Sequence, residues 1–212
     1  SSNIKKIISI CHLVETPIAS QALLTEPLIN ILKFIAPDYA VILLDDELWL
    51  LSLEKLAENI HFTELKERWH KGIVSQPLLL PISLTLDKAQ FIFVNQHITS
   101  FEQAGIVIVI KTANKIQIRQ FPACLRDKNI TASFNTIIDY LLPLSVKGDL
   151  EEIHWCQSFA KLMGAEKYHQ QSAQALIEQG KNLFKEQLAP VLRLNSVVVD
   201  LTSTISQLNS SN

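Results

Sequence analysis

Two copies of a Glu-x-x-His pattern stand in the last third of the chain, formed by Glu151 with His154 and by Glu166 with His169. In four-helix di-iron proteins, such pairs come from two different helices and hold metal ions between them. Here the two copies are fifteen residues apart, which on one continuous helix is a rise of about 22 Å. Because that distance is too long for one metal centre, we interpret both pairs as solvated helix surface and predict no metal site.

The three cysteines, Cys11, Cys124 and Cys156, could each supply a nucleophile or a metal ligand. Their odd number and wide spacing argue against a disulfide framework. His154 and Cys156 are two residues apart and point to different faces of a helix, with no further ligands at the spacing that zinc needs. Cys11 and His12 are neighbours, which face opposite ways in a strand and make a poor nucleophile–base pair. We therefore expect reduced, mostly buried thiols and no catalytic residue.

The acidic run Asp45–Glu47 could bind a cation, but the apolar residues Leu48–Leu50 follow where a calcium loop needs oxygen ligands. We interpret the run as the start of a helix, where acidic side chains meet the helix dipole favourably. Only five glycines occur, and the closest two are sixteen residues apart. That spacing excludes the Gly-x-Ser-x-Gly, Walker and dinucleotide motifs. We predict no cofactor site, and an enzyme of unfamiliar type is left as an alternative.

The hydrophobic periodicity predicts an α+β fold. It is a mainly antiparallel sheet, a meander of two hairpins, with helices before it and a helical C-terminal part. We expect one domain over 1–212, with a subdivision into 1–147 and 148–212 as the alternative. The expected strands are 4–14, for which a short helix is the alternative, 39–44, 80–86 paired with 90–94, and 105–111 paired with 115–121. The expected helices are 25–36, 47–59, 63–70, 131–143, 149–168 and 172–188, with a turn or two of helix over 99–104.

The composition of the whole chain indicates what kind of molecule the protein binds. Hydrophobic residues make up 48% of the chain and charged residues 19%, with a net charge of −2. A chain without a basic balance gives no reason to expect nucleic acid, and no apolar run approaches the roughly 20 residues of a membrane helix. We expect a cytoplasmic protein whose excess apolar surface is covered by another protein.

An apolar stripe near the C-terminus is the candidate contact. Its members recur at spacings of three and four, typical of the seam by which helices pair: Val191, Leu194, Val198, Leu201, Ile205 and Leu208. Two interpretations stay open, a docking face for a partner or a face that packs on the protein's own sheet. The run Val197–Val199 would also suit a strand.

The length, the composition rich in Leu, Ile, Asn and Gln, and the opening residues Ser1–Lys6 resemble the LvgA-like adaptors of the Dot/Icm type IVB secretion system. The resemblance implies a cytosolic, non-enzymatic adaptor. It would bind a small acidic chaperone pair on the tail of a coupling ATPase and help to recruit effectors. The alternative is a small-ligand sensor resembling a GAF domain, with 40–44, the hairpin 82–94 and 106–110 in one sheet beneath the ligand.

Overall fold

The structure, a computed structural model, describes residues 29–112 and 114–210. The predicted strand 4–14 and Cys11 lie outside these residues. Within them, no helix combines the length and apolar character that crossing a membrane requires. The described residues divide into two compact units, the first comprising 29–60 with 166–210 and the second 61–165.

Helices and strands confirm the α+β class. The strands are β1 (Asn30–Ile35), β2 (Tyr39–Leu44), β3 (Glu47–Ser52), β4 (Ser75–Thr85), β5 (Val107–Thr112), β6 (Lys115–Pro122) and β7 (Ser196–Val198). The helices are α1 (Leu53–Arg68), α2 (Lys88–Gln96), α3 (Ile98–Gln103), α4 (Ile130–Ser145), α5 (Glu152–Gly164), α6 (Gln170–Phe184), α7 (Leu188–Leu194) and α8 (Thr202–Ser210).

The first unit is built on an antiparallel sheet of order β1-β2-β3-β7. Alternate side chains of β2 and β3 point to one face, where Ala40, Ile42 and Leu51 are fully buried. This inner face forms one core with apolar side chains from the start of α1 and from α6 and α7. The inner face of the sheet is therefore covered by helices.

The predicted helix 47–59 is wrong over its first six residues. Asp45 and Asp46 have φ of 51° and 63°, the left-handed conformation of a two-residue hairpin turn. The turn pairs Leu44 with Glu47 and continues as β3, so that helix α1 begins only at Leu53. The acidic run therefore forms a tight turn and is not the start of a helix.

The predicted helix 25–36 is also wrong where it is described. Residues 30–35 form β1 and pair with β2, with a bulge between Ile31 and Lys33. The helical spacing of apolar residues was misleading because pairing with a neighbouring strand outweighs local pattern.

The second unit is built on an antiparallel sheet of order β4-β6-β5. The hairpin β5–β6 confirms the prediction over 105–121, with Asn114 at φ 63° in its turn. The other predicted hairpin is wrong, because 88–96 is helix α2. The Asp87 carboxylate accepts the Gln90 backbone N–H at 2.8 Å, and the Gln90 side chain accepts that of Asp87 at 3.2 Å. This reciprocal cap starts a helix, and β4 pairs with β6 instead.

Helices α3, α4, α5 and α6 agree with their predictions to within a few residues. The core of the second unit is rich in aromatic rings: Phe101 stands edge-on to Trp155 at 4.9 Å between ring centroids and lies 5.7 Å from Phe134. The GAF-like arrangement is wrong, because β2 belongs to one sheet and β4 and β5 to another.

Candidate interaction surface

The second face of the first sheet is mainly apolar. Register places its side chains in cross-strand rows: Tyr39 beside Ile35, Val41 between Lys33 and Leu50, Leu43 beside Leu48, and Leu50 beside Val197. We call this the outer face, formed by Ile35, Tyr39, Val41, Leu43, Leu48, Leu50 and Val197. Three polar residues share this face by register, Asn30 beside Leu43, Lys33 beside Val41 and Ser52 beside Tyr39, and of these described positions only Lys33 is charged.

The exposure of the outer face differs from that of the inner one. Ile35, Tyr39 and Val197 are 43%, 44% and 63% exposed, and the four members between them are half-buried. When one face of a sheet packs on the core and the other contacts water, the side chains on the water-facing side are usually polar. Contiguous exposed apolar surface of this kind marks a site of association.

An ion pair joins the β2–β3 turn to helix α7, which packs on the inner face of the sheet. The Arg193 guanidinium of α7 donates to the Asp45 carboxylate. Asp45, which the sequence analysis considered as a cation ligand, is therefore paired with an arginine. Elsewhere in the described part of the chain, no group of three or more His, Cys, Asp or Glu is arranged to hold a metal ion.

The C-terminal stripe is divided among three elements. Val191 is buried in the core from α7, Leu194 is half-buried, and Val198 is half-exposed on β7 beside Trp49. Leu201 and Ile205 are 42% and 53% exposed at and beyond the start of α8. The side chain of Leu208 lies outside the described part of that helix. The structure thus does not place the six residues on one continuous helix, and their role in binding stays a prediction.

Both Glu-x-x-His motifs cap helices. His154 Nδ1 accepts the backbone N–H of Glu151 at 3.0 Å, and His169 Nδ1 accepts that of Ser172 at 3.0 Å. Each imidazole therefore satisfies a donor at the first turn of its own helix, and the two motifs belong to different units.

The two described cysteines are unpaired thiols in different surroundings. Burial raises the pKa of Cys156 to about 12, the carboxylate of Glu152 adds to the rise and Lys66 opposes it. Cys124 lies at the surface, yet partial burial of its thiol also raises its pKa. Raised pKa values keep both thiols protonated near neutral pH, which is the opposite of an activated nucleophile.

Sequence reasoning missed the outer face, although one signal for it was present. The segments 39–44 and 48–51 are apolar at successive positions, not at alternate ones. Such runs are typical of strands covered on both faces. Only the register of four strands shows that the second set of side chains forms one surface.

Comparison with known proteins identifies the kind of domain. Residues 32–163 match the family described as the MutL C terminal dimerisation domain. A protein of Colwellia psychrerythraea named DNA mismatch repair protein MutL is 36% identical over 185 residues, covering 81% of this chain and 28% of that protein. Proteins of the same name from Pectobacterium atrosepticum and Shewanella halifaxensis are 30% and 24% identical, covering 61% and 57% of this chain and 19% of each relative.

These similarities correct the functional predictions. The resemblance to Dot/Icm secretion adaptors is wrong, and with it the chaperone pair, the coupling ATPase tail and effector recruitment, as is the GAF-like sensor. The predicted partners are wrong too, since the relatives are named as DNA mismatch repair proteins and not as secretion subunits. The resemblance rested on length and overall composition, which unrelated proteins share, so it did not identify the family. The chain spans 28% of the length of the first of these relatives and 19% of the length of each of the other two.

Proposed function

We propose that this chain, which belongs to the family of MutL C-terminal dimerisation domains, joins two copies of a DNA mismatch repair protein through its outer face. The observation that carries the proposal is the row of exposed and half-buried apolar side chains on a sheet whose inner face is already packed. The family description supplies the occupant, a second copy of the same chain.

A two-fold axis suits the composition of the outer face. In such a dimer each patch meets its own copy, so every like charge near the axis meets itself. Of the described face positions, only Lys33 is charged, and it lies on the edge strand β1. Burial of Tyr39, Val41 and Leu50 against their counterparts would remove apolar surface from water at about 25 cal/mol per Å².

The C-terminal stripe extends this proposal. Leu201 and Ile205 follow directly on β7, the strand that contributes Val197 to the outer face. Their exposure supports a role as flanking contacts in the dimer, whereas the burial of Val191 supports a role in the core. We further propose that this domain contributes association and no catalysis, and a cytoplasmic location remains part of the proposal.

Sedimentation of the 212-residue chain over a range of concentrations tests the proposal. The double variant Ile35→Glu with Val197→Glu places new carboxylates on both edges of the outer face, and each meets its like in the dimer. Like charges brought together at an interface cost several kcal/mol, so we expect the dimer dissociation constant to rise by about a hundredfold or more.

The matched control is Val74→Glu with Val146→Glu. Both valines are more exposed than the test pair, at 75% and 82%, and lie in the second unit. The control adds the same charge and should leave the dimer intact. A chain that is monomeric throughout the concentration range, or a control that dissociates as readily as the test variant, would show that the outer face is not the dimer interface.

A further inference from the structure

We propose that a cleft in the second unit binds the guanidinium group of an arginine side chain that a partner protein presents. The cleft has a volume of about 230 Å³, below the roughly 300 Å³ at which pockets for whole small-molecule ligands begin. It therefore suits a single long side chain. The residues that carry the argument come from the turn 69–71, from α3 and from the start of α5: Trp69, Thr99, Ser100, Gln103, Glu152 and Trp155.

Two indole rings line the cleft. The ring centroids of Trp69 and Trp155 lie 6.4 Å apart, with the ring planes inclined by 31°. Both side chains are buried, and Trp155 also stands edge-on to Phe101 in the aromatic core. Aromatic rings attract cations, and tryptophan does so most strongly. Because a guanidinium is planar and weakly hydrated, it lies against such rings more readily than an ammonium does.

The polar groups of the cleft supply hydrogen-bond acceptors. The side-chain amide of Gln103 donates to the Trp69 carbonyl at 2.6 Å, which directs its donor inward and leaves Oε1 as an acceptor. The hydroxyls of Thr99 and Ser100 form no hydrogen bond to other groups in the described part of the chain, and each can accept. A guanidinium has five N–H donors and no acceptor. It therefore complements this set of oxygens.

Negative charge predominates in the three segments that line the cleft. Residues 69–71, 98–103 and 149–152 contain one lysine, Lys71, and four acids: Glu102, Asp149, Glu151 and Glu152. The amino ends of α3 and α5 favour negative charge nearby, and these carboxylates already supply it. The excess of carboxylates therefore favours a cation as the occupant.

Glu152 is the charged side chain of the cleft itself. It is 34% exposed, and among the described residues its ion-pair partner is His70, with Nε2 3.9 Å from a carboxylate oxygen. That imidazole is 83% exposed, so it can turn into water when another cation arrives. Arginine binds a carboxylate through two parallel N–H donors, and arginine is enriched among the side chains that anchor protein interfaces.

Titration of the ¹⁵N-labelled 212-residue chain with the peptide acetyl-Gly-Arg-Gly-amide tests the proposal. We expect the indole N–H resonances of Trp69 and Trp155 to shift and to saturate in the millimolar range, as for one anchoring side chain. The indole of Trp49, which belongs to the first unit, is the internal control and should not shift. Equal shifts of all three indoles, or no saturation, would overturn the proposal.

Two further peptides identify the chemistry of the occupant. In one, citrulline replaces arginine and keeps its shape without its charge, and we expect no saturable shift. In the other, lysine replaces arginine and should bind about threefold more weakly or worse, because its ammonium is compact and strongly hydrated. Equal binding of either peptide would contradict the assignment of a guanidinium site.

The variant Glu152→Gln removes the charge of the cleft and should weaken binding of the arginine peptide by about fivefold or more, since charge-assisted hydrogen bonds are about twice as strong as neutral ones. The matched control, Asp139→Asn, makes the same change at an exposed position of α4 in the same unit and should bind as the unmodified chain does. Equal loss in both variants would mean that overall charge, and not the cleft, governs binding.

Two more variants separate a direct role of Glu152 from a structural one. His70→Ala removes its ion-pair partner and should leave binding unchanged or tighter; a loss as large as that of Glu152→Gln would overturn the direct role. If Glu152→Gln unfolds, Ser100→Leu fills the cleft without changing its charge and should abolish binding. Thr136→Leu, at an exposed position of α4, should not, and equal binding by these two variants would contradict the proposal.

Discussion

The two units use the same construction, an antiparallel sheet with helices on its inner face, but their outer faces differ in chemistry. In the first unit the outer rows are apolar, as in Val41 beside Leu50 and Leu50 beside Val197. In the second they are polar and cationic, as in Thr85 beside Lys115 and Ser83 beside Gln117. An apolar face gains free energy when it leaves water, whereas a polar face is stable in contact with water. The inner face of each sheet therefore serves folding, whereas the chemistry of the outer face differs between the two units.

The largest effect is expected where neither outer face is involved. Phe101→Ala removes a fully buried ring that contacts Phe134 and Trp155. We expect the free energy of unfolding to fall by about 3 to 5 kcal/mol, since truncating a buried Phe loses transfer free energy and leaves a cavity. Urea denaturation measures it. Leu79→Ala, at a fully exposed side chain of β4, is the control, and a comparable loss there would mean that burial does not decide stability in this unit.

The second-largest effect should come from exchanging the chemistry of the two outer faces. Val41→Thr with Val197→Thr makes the first face resemble the second, and we expect dimerisation to weaken by about ten- to a hundredfold, or about 1 to 3 kcal/mol. The reverse exchange, Ser83→Val with Thr85→Val, makes the second face resemble the first and should produce higher oligomers. Sedimentation velocity measures both. Unchanged assembly in the two exchanges would mean that the chemistry of the faces does not direct association.

Helix caps should have smaller effects, and similar ones in both units. Asp87→Ala removes the carboxylate that caps α2, and His169→Ala removes the imidazole that caps α6. Loss of a capping acceptor costs about 1 kcal/mol, so thermal unfolding should show comparable small decreases in stability. Asp139→Ala, at an exposed position within α4, is the control, and a decrease as large as that of Asp87→Ala would argue against the caps as the cause.

Alkaline pH should lower the stability of both units. Burial raises the pKa of Tyr168 in the first unit to about 12, with the carboxylates of Glu166 and Glu54 adding to the rise. Burial likewise raises the pKa of Cys156 in the second unit to about 12. Each group ionises at lower pH in the unfolded chain, so the unfolded state binds fewer protons and stability falls as pH rises from the ordinary values toward 12.

Tyr168→Phe and Cys156→Ala remove these two contributions. Each variant should show a shallower loss of stability with pH above about 9 to 10, measured by urea denaturation at a series of pH values. Tyr39→Phe, at an exposed tyrosine, is the control. A Tyr168→Phe variant with the same pH dependence as the unmodified chain would contradict the role of its burial.

The sequence was most informative where local pattern and tertiary structure agree. The alternation over Lys115–Phe121 and the turn residue Asn114 predicted the β5–β6 hairpin, and the spacing of Phe134, Ile137 and Leu141 predicted α4. It was misleading at 30–35 and 47–52, where helical spacing occurs in segments that pair as strands. Strand pairing depends on residues that are distant in sequence. The spacing of apolar residues within one short segment therefore does not show whether that segment pairs as a strand.

The amino-acid sequence by itself determined the α+β class, several helices and the β5–β6 hairpin, because their propensities and turn residues act over a few neighbouring positions. It also contained an excess of apolar over charged residues that called for a partner. Only the tertiary structure decided where that excess lies. Register aligned alternate residues of paired strands into one apolar outer face in the first unit and brought Lys115 and Gln117 beside Thr85 and Ser83 in the second. The pleat of a sheet sorts side chains by parity only once the strands have paired.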